Sequence, residues 1–180
     1  MKRFVLVALL VAPAWIAGCQ RSSSPSGDSQ KHDGEARRDG AKYLLVAEPA
    51  NAKGVIQVRE QAKDGEAIVV IGRVGGSKEP CVKGRAAFTI VDPSYPSCDE
   101  RGENCETPWD YCHATKDEMT RATAMIKVVD DQGKTLAQDV QDLLGLQPLQ
   151  TVVVQGRSKR DESGNLTVLA EGIYIRPRSK

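Results

Sequence analysis

Alternating hydrophobic and polar positions dominate the chain beyond residue 66 and predict a β-rich domain. Five runs have the two-residue period of strands, and they span residues 67–74, 86–91, 122–129, 151–157 and 166–175. The last two runs flank residues 158–165, where Asp-Glu-Ser-Gly-Asn favours a turn, so they predict a hairpin. Gly72 lies inside the first run, and an interior glycine predicts a bulge or a sharp coil.

Two other segments have helical spacing. Val55 and Val58 predict a short helix within residues 51–61. Hydrophobic residues at helical spacing over 136–146 predict a short helix, or an extended arm with a helical end. These segments lie before the first strand and between the third and fourth strands.

This element order outlines an OB-type barrel, in which a helix separates the third strand from a terminal hairpin. We therefore predict a mainly β fold, a small OB-like five-stranded β-barrel with one or two short helices, over residues 49–177. A different small β-barrel, or an open sheet packed on a helix, has nearly the same pattern.

The N-terminal stretch is the most hydrophobic part of the chain. Lys2 and Arg3 precede an uncharged run that ends at Cys19. This run is shorter than the ~20 residues that span a bilayer, so it predicts an export signal over residues 1–18. The residues Ile-Ala-Gly-Cys at 16–19 resemble the lipobox of bacterial lipoproteins, which implies acylation of Cys19. The alternative is an ordinary secreted protein with a free thiol at this position.

The segment after the cysteine is polar and predicts a tether. Residues 20–42 contain serine, glycine and charges of both signs and no large apolar residue, so they cannot offset their ordering entropy by burial. We predict a lipid-anchored, flexible tether over residues 19–48. Its lipid anchors the chain to a membrane, with the domain facing the periplasm or exterior. Gln20 resembles the sorting pattern of diderm lipoproteins, which favours the outer membrane.

Charge argues against a nucleic-acid partner. The chain has 25 Lys+Arg and 24 Asp+Glu, and removal of residues 1–18 leaves 23 basic against 24 acidic side chains, a formal charge of −1. A nucleic-acid-binding domain has a basic excess. Arg73, Lys83 and Arg85 offer a basic groove on the barrel face. Only Phe88 and Tyr174 supply strand aromatics for base stacking, so solvated charge is the simpler interpretation. Nucleic-acid binding is therefore our last alternative.

Four stretches carry a resemblance to a known group. They are VVIGRVGG (69–76), KGRAAFTIVDPS (83–94), CETPWDYC (105–112) and GLQPLQTVVVQGR (145–157). They resemble uncharacterised OB-fold-like lipoproteins of planctomycete bacteria over nearly the whole domain. The resemblance implies the same anchor and barrel but carries no activity. In that group a Cys-Cys pair often stands where this chain has Cys112-His113.

The insert between the second and third strands, residues 92–120, is rich in cysteine. If Cys19 is acylated, an even number of cysteines remains in an oxidising compartment, and two disulfides are the default interpretation. The sequence leaves their pairing open. The four candidates are Cys81, Cys98, Cys105 and Cys112.

A metal site is the alternative interpretation of the same insert. Cys98, Cys105, Cys112 and His113 offer thiolates and an imidazole, which suit zinc, copper or iron. The six-residue intervals between the cysteines weigh against this alternative, because structural zinc motifs usually bring ligands two to four residues apart.

The insert also contains two aromatic residues that could form a binding surface. Trp109 and Tyr111 are anchors for a partner if they are exposed, and they cap the barrel if they fold inward. No catalytic triad, G-x-S-x-G or P-loop pattern is present. We therefore predict a non-enzymatic, lipid-anchored cell-envelope binding module without a cofactor, whose disulfide-stapled insert presents these aromatics to a protein or small ligand. A metal-binding or redox lipoprotein is the alternative.

Overall fold

The computed structural model describes residues 39–178. The predicted signal peptide, Cys19 and most of the predicted tether lie outside the described residues. Within the described part of the chain, no helix is both long and apolar enough to cross a membrane.

Six strands and three short helices form the domain. The strands are β1 (Lys53–Gly54), β2 (Ala67–Val74), β3 (Ala87–Val91), β4 (Thr123–Val128), β5 (Thr151–Arg160) and β6 (Leu166–Ile175). The helices are α1 (Val55–Gln61), α2 (Lys116–Ala122) and α3 (Val140–Leu144), and a 3-10 helix spans Ala41–Tyr43. The five predicted strands and the two predicted helical segments are confirmed. The two-residue strand β1 and helix α2 were not predicted.

Five of the strands close into a barrel. β2 pairs antiparallel with both β3 and β5, β3 pairs antiparallel with β4, and β5 pairs antiparallel with β6. The circle is completed by β4 and β6, which run parallel. Because α3 lies between β4 and the terminal hairpin β5–β6, the architecture is the OB-like barrel that the sequence predicts.

Gly72 has a steric role rather than the predicted bulge. β2 pairs with β5 in continuous register from Ala67 to Arg73, so the prediction of a bulge at Gly72 is wrong. A Cβ at Gly72 would lie 2.8 Å from the Cδ1 atom of Ile90, which is closer than side chains tolerate. The register shift of the barrel lies in β5 instead, between Gln155 and Gly156.

The hydrophobic core fills the barrel and extends to the N-terminal side of the domain. Tyr43 is buried in the same cluster as the strand residues, and the backbone N–H of Leu45 donates to the carbonyl of Ile173. The packed domain therefore includes residues upstream of the predicted boundary at position 49.

A buried carboxylate joins the insert to α1. The helix begins after Gly54, which has no side chain to cap the free N–H groups of the first turn. Asp92, at the start of the insert, supplies this cap, because its Oδ2 accepts a hydrogen bond of 2.9 Å from the N–H of Ile56. Its other oxygen accepts from the N–H and hydroxyl of Ser94. The first turn of the insert is thereby fixed against the helix.

We expect Asp92→Ala to lower the free energy of unfolding by about 1–2 kcal/mol, because it leaves the partly buried N–H of Ile56 without its side-chain acceptor. Urea denaturation followed by circular dichroism measures this change. Asp131→Ala is the matched control, because Asp131 is exposed and accepts no side-chain hydrogen bond within the described part of the chain. Equal stability of the two variants would contradict the capping role.

Candidate functional site

Helix α2 fixes the C-terminal end of the insert. Thr115 caps it, since its hydroxyl accepts from the N–H of Glu118 while the Glu118 carboxylate accepts from the N–H of Thr115. This reciprocal arrangement is a capping box, and the Thr-Lys-Asp-Glu sequence at 115–118 is its usual signal. The sequence therefore contains the signal for α2, inside a segment that the strand pattern alone predicts as a loop.

An ion pair ties the middle of the insert to the barrel. Nη1 of Arg73, on β2, lies 2.6 Å from Oε2 of Glu100, which also accepts a hydrogen bond from the N–H of Ser97. Burial of the Glu100 carboxyl opposes its ionisation, but the hydrogen bond from Ser97 and the charge of Arg73 outweigh this effect and lower its pKa. Only 15% of the Arg73 side chain is exposed. The predicted role of Arg73 in a basic groove is therefore wrong, because the guanidinium is engaged within the protein.

A tight turn orients the last cysteine. Asp110 accepts a hydrogen bond from the hydroxyl of Thr107 through Oδ2 and from the N–H of Cys112 through Oδ1. Between them, Tyr111 has a φ of 58°, a left-handed conformation that few non-glycine residues adopt. Its buried ring packs with Val91 and holds the backbone in this conformation. The hydrogen bond from Cys112 to Asp110 and the left-handed backbone of Tyr111 together set the direction in which the Cys112 side chain points.

These contacts bring three thiols together in what we call the thiol cluster, formed by Cys98, Cys105 and Cys112. The Sγ atom of Cys112 lies 3.5 Å from that of Cys105 and 3.8 Å from that of Cys98. One carboxylate oxygen of Glu103 lies within 4.8 Å of each of the three sulfur atoms, which are also within that distance of one another. Four potential metal ligands therefore converge.

His113 lies at the edge of this cluster. Its Nδ1 atom is 3.6 Å from Sγ of Cys98 and 3.4 Å from Oε2 of Glu103. The structure thus brings together all four residues of the predicted metal site. Glu103 was missed as a ligand, because its approach depends on the turn of residues 98–103, which has no regular sequence signal.

The cluster resists loss of its protons. Burial raises the pKa of Cys98, although its hydrogen bond with Cys105 acts in the opposite direction. Hydrogen bonds with Cys98 and then Cys112 raise the pKa of Cys105 to about 12. Each thiolate would repel the next, so the charged form requires a compensating cation.

The two predicted disulfides are not formed. The four cysteines of the described residues are free thiols, and the sulfur separations in the thiol cluster far exceed the S–S bond length of about 2.05 Å. Cys81 lies elsewhere, beside β3 through a bridge to Phe88. Burial, followed by the charge of Asp139, raises the pKa of its thiol. Three cysteines thus share one site and the fourth does not.

The predicted aromatic anchors differ in their exposure to solvent. Tyr111 is 1% exposed, so its prediction as a solvent-facing anchor is wrong and the inward alternative holds. Phe88 is fully buried in the barrel core and is not accessible for base stacking, whereas Arg85 is exposed. Trp109 is half-buried, donates its indole N–H to the carbonyl of Lys78 and lines a groove of about 500 Å³.

The rim of this groove carries charges of both signs. Lys78 and Lys83 line it together with Glu79, Asp139 and Asp142. Trp109 is four residues beyond Cys105 and three before Cys112. The insert that holds the thiol cluster therefore supplies one wall of the groove, and residues 78–83, 139–142 and Pro148 supply the rest.

No known protein family and no curated protein matches this chain.

We expect the thiols of the folded, reduced protein to be alkylated in an order set by exposure. Cys112 is exposed and should react first with iodoacetamide, whereas Cys98 is buried with a raised pKa and should react last. Peptide mass spectrometry at timed quenches gives the order. In urea the difference should disappear, and faster reaction of Cys98 than Cys112 in the native protein would contradict the structure.

Proposed function

We propose that the protein is a lipid-anchored, non-enzymatic module of the cell envelope whose insert is stapled by a bound metal ion. One observation carries this proposal, the convergence of three thiols and one carboxylate within 4.8 Å. In this proposal a metal ion, rather than the predicted disulfides, holds the insert together. It holds Cys98, Cys105 and Cys112 around one point.

The distances suit a metal ion. A tetrahedral zinc ion with Zn–S bonds of about 2.3 Å holds its sulfur ligands about 3.8 Å apart. The separations of 3.5 and 3.8 Å from the sulfur of Cys112 are close to this value. Small rotations of side chains would complete the coordination without displacement of the barrel.

The scaffold supports a preformed site. The N–H of Cys98 donates to the carbonyl of Pro108, and the carbonyl of Cys98 accepts from the N–H of Glu103. Arg73 and Asp110 fix the two ends of this arrangement, as described above. Ligands that are held before binding lose little conformational entropy when the metal arrives.

The metal gives the insert its function in this proposal. Trp109 lies between two of the ligands and forms a wall of the groove. A metal that fixes Cys105 and Cys112 also fixes this wall, and the groove then presents one aromatic side chain to a protein or small ligand. Tyr111 supports the segment from inside.

The location proposed for this module follows from the N-terminal sequence. Acylation of Cys19 would attach it to a bacterial membrane, with the outer membrane favoured by Gln20. In the planctomycete lipoproteins that the chain resembles, a second cysteine often stands at the position of His113, and a thiolate there would preserve metal-ligating chemistry.

We expect the reduced full chain, purified in detergent, to bind one zinc ion. Cys98→Ser, Cys105→Ser and Cys112→Ser should each lower zinc affinity by at least about tenfold, because each removes a thiolate. Cys81→Ser is the matched control and should bind as the original chain does. Chelator competition and elemental analysis measure affinity and stoichiometry. Zinc retained equally by all four variants would place the metal elsewhere, and no zinc bound by the original chain would refute the proposal.

Zinc affinity should rise with pH. The thiols of Cys98 and Cys105 have raised pKa values and are protonated at neutral pH, so binding must release their protons. Arg101, by hydrogen bond and charge, lowers the pKa of Glu103, which is already ionised and adds no proton. The logarithm of the affinity should therefore increase by about two to three per pH unit between about pH 6 and 8. A flat profile would exclude binding through these thiols.

A further inference from the structure

We propose that Glu103 is the fourth ligand of the thiol cluster and raises its affinity for divalent zinc relative to cuprous copper. This inference rests on the metal-binding function proposed above and adds to it the fourth ligand and the effect of that ligand on metal preference. His113 then contacts the ligands from outside the coordination sphere.

Glu103 lies close to all three cysteines of the thiol cluster. Its backbone lies between two ligands, because its N–H donates to the carbonyl of Cys98 at 2.9 Å and its own carbonyl accepts from the N–H of Cys105 at 3.2 Å. Its carboxylate is within 4.8 Å of all three sulfur atoms. No other carboxylate of the described residues lies within that distance of the whole cluster.

The two oxygens of Glu103 have separate partners. Nε of Arg101 lies 2.8 Å from Oε1, whereas Oε2 faces Nδ1 of His113 at 3.4 Å. The guanidinium on Oε1 restrains the carboxylate, and Oε2 keeps a lone pair for a metal beside its contact with His113. Carboxylate ligands of metals are commonly held in this way by hydrogen bonds from neighbouring groups.

His113 is a positioning residue in this arrangement. Its Nδ1 reaches Cys98 and Glu103, but the four mutually close ligand atoms do not include a nitrogen of His113. An imidazole N–H that donates to Cys98 or Glu103 would orient a ligand and reduce its negative charge. The sequence expectation assigned the fourth position to His113, and the geometry favours Glu103.

The combination of thiolate and carboxylate ligands favours zinc. Cuprous copper is a soft cation that two or three thiolates satisfy, and a carboxylate adds little to its binding. Zinc takes four ligands and accepts carboxylate oxygen as well as thiolate sulfur. Three thiolates and one carboxylate carry four negative charges, so a dication also gains more from the fourth ligand than a monocation does.

The test compares Glu103→Gln with the original full chain and with Glu106→Gln. Gln retains the shape of the side chain but is a weaker metal ligand, and Glu106 is an exposed acidic neighbour outside the cluster. Zinc and cuprous copper affinities are measured anaerobically by competition with chromophoric chelators. We expect Glu103→Gln to lower zinc affinity about tenfold or more and to leave cuprous affinity nearly unchanged. Glu106→Gln should alter neither.

Cobalt(II) substitution provides a second measurement. The sulfur-to-cobalt charge-transfer band should persist in Glu103→Gln, because three thiolates remain, whereas the d–d bands should shift as the fourth ligand changes. Persistence of the charge-transfer band also shows that the variant is folded around the metal.

The outcomes separate the two proposals. If the original chain binds neither metal, the proposed function itself fails. If it binds zinc, but Glu103→Gln behaves like Glu106→Gln, Glu103 is not a ligand. If His113→Gln instead abolishes zinc binding and shifts the d–d bands, the fourth ligand is His113, and the inference is overturned while the metal function stands. Equal losses of zinc and cuprous copper in Glu103→Gln would refute selectivity.

Discussion

The structure depends on β2, which pairs with β1, β3 and β5 and closes the barrel through the last two. Along most of its length β2 pairs with β5, and at Arg73 and Val74 it pairs with β3. Such a strand must coil tightly, and Gly72 lies directly before the change of partner, where a Cβ would collide with Ile90. Closure pairs each of the five strands on both sides over at least part of its length, and so reduces the exposed edges that an open sheet would present.

The insert takes its geometry from this strand. Arg73 points outward from the position where β2 pairs with both neighbours, so its guanidinium is fixed by the barrel and can hold Glu100 close to Cys98. At the start of the insert, Asp92 joins the last residues of β3 to helix α1. Two charged contacts thus tie a long connection to the barrel and to α1, and three thiols spaced seven positions apart meet at one point.

The sequence predicted the barrel well because burial alternates along much of β2 and β4, as at Val70 and Val74, and the hydrophobic pattern shows this alternation directly. It predicted the site less well, since the approach of Glu103 to the cysteines arises from irregular turns. The capping box at Thr115 is a local sequence signal for helix α2. The even number of cysteines suggested disulfide pairs, yet Cys81 lies beside Phe88 on the barrel and leaves three thiols in the cluster. Counting residues cannot reveal which of them meet.

The odd number of thiols in the cluster helps to decide between structural disulfides and a metal site. One disulfide within the thiol cluster would use two sulfurs and leave a third beside it, as a nucleophile able to exchange with the bond. Such a pair would isomerise among three arrangements, and the insert would have no single covalent form. A metal ion engages all three thiolates together and leaves none free to exchange. In the oxidising compartment proposed for this protein, metal coordination is the arrangement that gives the segment around Trp109 one stable conformation.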